Sequence, residues 1–268
     1  EECCSNCSHL RQRGIRGFII SRSGLPLDSR ALRPKAPAMQ DAAYVRDAFS
    51  RIADRYVLTN HVLSCGADIW WRKVVTARIR RWKPASLLDV ASGTGDLALE
   101  IQDQCPDCEV IATDFCAEML AHASSRGLAR IMVADALNLP FPDASFQAVT
   151  VAFGLRNVAD TLAGLREMAR VCRPGGTVAV LEFSTPRLWP LRPFYLWYFR
   201  TILPLIGRWV SRSSDFAYSY LPASVAAFPE REALAAIFAE AGLAGTTWRS
   251  LTFGIATLYW GRKPAENP

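Results

Sequence analysis

No apolar run in this 268-residue sequence reaches the roughly eighteen residues a membrane-spanning helix requires. The N-terminal stretch also lacks a continuous hydrophobic segment of the secretory kind, because Ile15-Arg16-Gly17-Phe18-Ile19-Ile20 is short and interrupted by charge. Histidine is scarce, with three in the chain. The eight cysteines make no disulfide framework: Cys3, Cys4 and Cys7 crowd one end and the others are scattered, a pattern suited to a reducing compartment. Cys105-Pro106-Asp107-Cys108 is a lone CxxC without a second ligand pair, so no metal site is expected. No internal repeat is evident, which argues against solenoids and propellers.

The body of the chain also lacks a strong charge of one sign. Net charge is +6, but residues 1–38 hold +4 of it, with Arg11, Arg13, Arg16, Arg22, Arg30, Arg33 and Lys35 against Glu1, Glu2 and Asp28. The other 230 residues are nearly balanced and carry no module of stacking aromatics, so no nucleic-acid partner is expected. The Arg-rich, acid-poor segment 1–38 reads either as an organelle transit peptide or as a linker or leader upstream of a start at Met39. Both readings predict a disordered basic tail.

From Asp41 the apolar spacing becomes helical. Val45, Phe49, Ile52 and Tyr56 recur at three or four residues, and Trp70, Val74, Val75 and Ile79 resume the pattern before Lys83-Pro84. Residues 39–84 are therefore expected to form a helical lid. Strands and helices then alternate. Strands are expected at Leu87–Val90, Glu109–Thr113, Arg130–Val133, Ala148–Phe153 and Thr177–Phe183. Helices are expected at Asp96–Gln104, Ala117–Ser125 and Asp160–Cys172. This alternation calls for a parallel sheet covered on both faces. An irregular, aromatic and basic insertion is placed at 185–228. A helix at Pro229–Ala241 follows, and then two β-runs, Thr246–Phe253 and Ile255–Gly261, which form a terminal antiparallel hairpin closing a catalytic domain of residues 85–264.

Leu87-Leu88-Asp89-Val90-Ala91-Ser92-Gly93-Thr94-Gly95-Asp96 is the most informative stretch. An apolar strand ends in an acid, a small-residue turn follows, and a helix opens at once, so a nucleoside ligand can approach bare backbone at a helix N-terminus. Gly93-Thr94-Gly95-Asp96-Leu97-Ala98 also fits the dinucleotide pattern G-x-G-x-x-A, and Asp114 lies nineteen residues beyond Gly95, where a ribose-binding acid belongs. A nicotinamide oxidoreductase is thus one reading. Asp89 disfavours it, because that carboxylate would meet a pyrophosphate unfavourably but would pair with an α-ammonium. Ala134-Asp135-Ala136, after another strand, supplies a place for an adenine amino group. These features together point to an S-adenosyl-L-methionine site.

Phe153-Gly154-Leu155-Arg156-Asn157-Val158, the run Arg170 to Ser184, Asn138 to Asp143 and Leu251-Thr252-Phe253-Gly254-Ile255 closely resemble the C-methyltransferases of ubiquinone and menaquinone biosynthesis, from about Tyr44 to the end. The resemblance implies a class I S-adenosylmethionine-dependent methyltransferase fold of Rossmann-like type, with a mostly parallel seven-stranded sheet. It also implies metal-free methyl transfer to a ring carbon of a reduced, prenylated quinone. Positions matching Thr94, Asp114 and Asp135-Ala136 would contact the cofactor. Ala152 stands where a serine is frequent, so only backbone or van der Waals contact would remain there. Tyr56, Asn60, Ser64 and Trp71 match the family's entry motif, whereas Val57 replaces its acid, Asp68 its histidine and Gln147 a further acid.

A hydroquinone carbon becomes nucleophilic when an O–H is partly ionised, so the protein must favour the phenolate and aim the ring. Arg156 is expected to stabilise that charge and Asn157 to orient the ring oxygen, since a guanidinium is a poor proton acceptor. Tyr56 and His61 would line the lid side. The cofactor set expected is Asp89, Gly93, Thr94, Gly95, Asp114, Asp135, Ala136 and Ala152. Leu188 to Arg200 interleaves Trp, Tyr and Arg with Leu and Pro, which suits a membrane-contact flap or, equally, a dimer face or core helix. The location expected is cytoplasmic, peripheral to the inner membrane for a prenylated substrate, or an organelle if 1–38 is a transit peptide. A methyltransferase for another lipophilic small molecule stays open, as do a homodimer and the choice between benzoquinol and naphthoquinol.

Overall fold

The computed structural model describes residues 64, 66–189, 191–198, 201 and 223–265. The chain divides into two units, Glu1–Pro37 and Ala38–Pro268, and every described residue lies in the second. The expected tail 1–38, the lid helices between Asp41 and Tyr56, and Tyr56, Asn60 and His61 themselves lie outside the described residues, as does most of 199–222.

Seven strands form one sheet in the order β3-β2-β1-β4-β5-β7-β6. They are β1 (Ser86–Val90), β2 (Glu109–Asp114), β3 (Ile131–Val133), β4 (Phe146–Ala152), β5 (Cys172–Phe183), β6 (Ala244–Leu251) and β7 (Ala256–Arg262). The first five pair in parallel, while β7 runs antiparallel to β5 and β6 antiparallel to β7. From β1 the chain first builds outward through β2 and β3, then returns to the other side of β1 for β4 and β5. The loops after β1 and β4 therefore leave in opposite directions, and the crevice between them is where such sheets bind ligands.

Side-chain alternation along the strands assigns each residue to one of two cores. Leu88, Val90, Val178 and Val180 enter the core covered by α4 (Thr161–Val171) and α6 (Glu232–Glu240), with Leu165, Met168, Leu234 and Phe238 opposite them. Leu87, Ala179 and Leu181 enter the other, beneath α1 (Ala67–Trp82) and α2 (Asp96–Gln104), against Trp71, Val75, Ile79 and Ile101. Burying one such aliphatic side chain contributes about 1.5–3 kcal/mol. A strand buried on both faces reads as a continuous apolar run, which is why Leu87-Leu88 and Val178 to Leu181 were legible. The remaining helices are α3 (Ala117–Ser125) and, in the insertion, α5 (Leu191–Trp197).

Most element boundaries shift by a few residues from expectation, and three of the shifts have a clear physical reason. The helix expected to include Cys172 stops at Val171, and Cys172 already pairs with Phe146. The next paired residues are Ala148 and Thr177, so Arg173 to Gly176 form an irregularity within β5 rather than a loop before it. Asp160 is not the first helical residue of α4 but its N-cap, accepting the Ala163 N–H at 3.0 Å. β6 ends at Leu251 because Thr252, Phe253 and Gly254 take φ of 43°, 57° and 93°, and left-handed residues cannot continue a strand.

Candidate active site at the switch point of the sheet

A cavity of about 400 Å³ opens at the carboxyl ends of β1, β2, β3 and β4. Its floor is the turn after β1, where Gly93 and Gly95 have φ of 58° and 77°. At Gly95 two requirements coincide: the left-handed backbone, and packing so close that a Cβ would lie 2.8 Å from the Ala123 Cβ of α3. Across the cavity, a Cβ on Gly154 would lie 2.6 Å from that of Ala91, so the loops after β1 and β4 touch only because Gly154 is bare.

Asp89 is buried at the tip of β1 and lines the cavity. Its Oδ1 accepts the Thr150 hydroxyl and its Oδ2 the Ser92 hydroxyl, both at 2.6 Å. Burial pushes its pKa up to about 6; the two hydroxyls oppose that rise, and the neighbouring carboxylates of Asp114 and Asp96 add to it. Asp114, at the tip of β2, accepts the N–H of Gly93 at 2.8 Å and of Cys116 at 2.9 Å. Burial raises its pKa as well, against those backbone donors. Thr94 turns its hydroxyl to Asp96 at 2.9 Å, and Arg126 clamps the same turn through the Thr94 carbonyl at 2.9 Å and Asp96 at 2.7 Å. Asp135 lies on the rim with Oδ1 accepting the Leu137 N–H at 2.9 Å, beside Ala136, and Ala152 at the end of β4 completes the wall.

The structure thus brings together Asp89, Gly93, Thr94, Asp114, Asp135, Ala136, Ala152 and Asn157, with Gly95 shaping the turn beneath them. Arg156 does not join them. It is buried in the 3-10 turn Leu155–Asn157, with Nη1 3.0 Å from Glu182 Oε2 and a second bond to the Phe153 carbonyl; its own amide donates to Glu182 Oε1 at 3.2 Å. Its guanidinium also sits over the Phe183 ring, 5.3 Å from the centroid. The reason is strand adjacency. Ala152 pairs with Leu181, which sets Glu182 beside the turn, and a motif read along the chain does not contain that neighbour.

Sequence reasoning missed Glu182, the hydroxyls of Ser92 and Thr150, and Arg72, which lines the cavity from α1. Only Arg72 carried a signal, being four residues after Asp68 on one helix face. The departure at Gln147 is remote from the cavity: its Oε1 accepts the Ala85 N–H at 2.6 Å, at the entrance of β1. Cys105 and Cys108 are free thiols whose pKa burial raises, that of Cys108 to about 11, so neither is poised as a thiolate.

Two raised carboxyls facing one cavity suit a cationic guest, and the bare glycine turn and the rim acid suit a nucleoside. The residues present therefore fit S-adenosylmethionine. Among solved structures, the [4+2]-cyclase SpnF aligns with TM-score 0.61 at 17% identity, over 87% of this chain and 98% of that one. An S-adenosylmethionine-dependent methyltransferase from Thermotoga maritima aligns at 0.59 and 17%, over 81% and 99%. Sheet order and the terminal antiparallel strands define the fold class, that of the S-adenosylmethionine-dependent methyltransferases.

The model of the ubiE/COQ5 methyltransferase family matches residues 38–263, and the chain belongs to that family. It is 45% identical to the demethylmenaquinone methyltransferase of Deinococcus radiodurans over 237 residues, 86% of this chain and 98% of that protein. It is 46% identical to the protein of the same name in Thermus thermophilus, over 81% of this chain and all of that one. The Geobacter sulfurreducens ubiquinone/menaquinone biosynthesis C-methyltransferase UbiE is 44% identical over 82% of this chain and 88% of its own length. The nicotinamide reading is thereby set aside.

Proposed function

We propose that the protein methylates a ring carbon of a prenylated quinol, with Asp89, Gly93, Thr94, Gly95, Asp114, Asp135, Ala136 and Ala152 holding the cofactor. The observation that carries the reading is the pair of raised carboxyls in a switch-point cavity, in a chain whose relatives bear quinone C-methyltransferase names. S-adenosylmethionine, when bound, supplies an electrophilic methyl group on a sulfonium centre. Asp89 is the partner for its α-ammonium and Asp114 for its ribose hydroxyls, each carboxylate keeping lone pairs beyond those its protein donors use.

Asn157 lines the cavity and orients the quinol oxygen. Arg156, held by Glu182, fixes the turn that presents Asn157. Trp71, Phe153 and Phe183 form an aromatic cluster with ring centroids 4.5–5.9 Å apart, and Phe153 is part of the cavity wall, an apolar surface for a planar ring. Leu188, Trp189 and Trp197 are exposed, Trp189 at 85%, and form the face that meets the bilayer holding the prenyl tail. Among the described residues no helix is long and apolar enough to cross a membrane.

The quinone profile of cells lacking the protein tests the reading. The expected result is accumulation of a quinone short of one ring methyl; an unchanged profile contradicts it.

A further inference from the structure

Four acidic side chains face the cavity, Asp89, Asp96, Asp114 and Asp135, and among the described lining residues Arg72 is the one cation. The amino-acid end of S-adenosylmethionine carries a carboxylate beside its ammonium. Arg126 already meets Asp96, but Asp89, Asp114 and Asp135 repel that carboxylate unless a further cation meets it. Arg72 is placed to do so. It is buried on α1, and its Nη2 donates to Asp68 Oδ2 at 2.5 Å, while Asp68 Oδ1 accepts the Ser64 hydroxyl at 2.5 Å. Asp68 therefore holds one edge of the fork. A guanidinium has five N–H donors, and Asp68 is the one partner of Arg72 found among the described residues, so the other edge is left for the cavity.

The rotation of α1 that aims Arg72 inward is fixed by the residue before it. Trp71 is fully buried, its ring packs on Phe153 and Phe183, and its Nε1 donates to the Thr252 hydroxyl at 2.7 Å. With Trp71 locked into the core, Arg72 lies at the cavity edge and Asp68, one turn earlier, braces it.

We infer that Arg72 binds the α-carboxylate of the cofactor and that Asp68 is its positioning residue. The inference rests on S-adenosylmethionine being the occupant of the cavity, and it divides the amino-acid end between two elements. Asp89 on the sheet takes the ammonium and Arg72 on α1 takes the carboxylate, so cofactor binding ties α1 to the strand tips.

Isothermal titration with S-adenosylmethionine and with its decarboxylated analogue, which keeps the ammonium and sulfonium, tests this. The wild-type protein binds the carboxylated compound roughly ten- to a hundredfold more tightly. Arg72→Met binds the two alike and binds the decarboxylated compound within about twofold of wild type, which also reports that the variant is folded. Arg72→Lys and Asp68→Asn retain part of the preference. Equal wild-type affinities overturn the inference without any variant, and so does an Arg72→Met protein that keeps the preference, the result expected if the Asp68–Arg72 pair only braces the helix. Failure of the wild type to bind either compound overturns the cofactor assignment instead.

Discussion

The Asp89 carboxylate and the Thr150 hydroxyl, paired residues on the neighbouring strands β1 and β4, share a 2.6 Å hydrogen bond. The donor makes the carboxylate form of Asp89 tolerable in a site where burial holds its pKa at about 6. Cofactor affinity is therefore expected to be flat above about pH 7 and to fall below about pH 6, by up to tenfold per unit, as Asp89 takes a proton and loses its hold on an ammonium. Thr150→Val removes the donor, raises the Asp89 pKa further and moves that fall to higher pH. Calorimetric titrations from about pH 5 to about pH 8 check both statements.

The same carboxylate weakens the empty fold. Its pKa is raised from 3.8 to about 6, so the folded state binds the proton more tightly than the unfolded one. Stability from this group is fully present below pH 3.8, is lost as pH rises toward about 6, and is absent at neutral pH, a difference of about 3 kcal/mol. Asp89→Asn keeps a hydrogen-bonding shape without the charge. It is expected to recover part of that difference and raise the Tm of the unliganded protein by several degrees at neutral pH, while weakening cofactor binding about tenfold or more. Calorimetric melting without ligand, beside titration with it, measures the exchange.

Glu182 and Arg156 form a buried pair, so removing one partner leaves an uncompensated charge. Glu182→Ala is expected to destabilise the protein by about 3–5 kcal/mol in denaturant titration. Its effect on catalysis runs through the turn that carries Asn157, so kcat falls while cofactor affinity stays within about twofold. Asn157→Ala, by contrast, lowers turnover with little change in stability.

Trp189 and Trp197 are 85% and 53% exposed, and burial in a headgroup layer is their expected use. Trp189→Ser combined with Trp197→Ser is expected to reduce pelleting with liposomes while leaving cofactor affinity unchanged. Unaltered pelleting removes the membrane contact.

The central architecture was legible because its signals are local. Leu87-Leu88-Asp89 ends a strand buried on both faces, and Gly93 and Gly95 mark a turn that demands left-handed backbone. The edges of α2 and α3 matched expectation residue for residue, since glycine or a turn bounds each of them. What escaped depends on partners distant in sequence. Glu182 meets Arg156 only through β4–β5 pairing, and Thr150 meets Asp89 only through β1–β4 pairing. Cys172 joins β5 because Phe146 is opposite it, whereas the local sequence Arg173-Pro174-Gly175-Gly176 reads as a stop. The strained turn Thr252–Gly254 follows from its anchors, the Trp71 indole and the Ser184 hydroxyl that reaches the Gly254 carbonyl at 2.7 Å.

The most direct test of the whole account is transfer of an isotopically labelled methyl group from S-adenosylmethionine to demethylmenaquinol in detergent micelles by the purified protein, with the product's labelled position read by NMR. The predicted result is one labelled methyl on a ring carbon of the quinol, lost in Asp114→Ala through failure to bind the cofactor. Label on an oxygen, or label left in the donor while the wild-type protein binds it, would contradict the account.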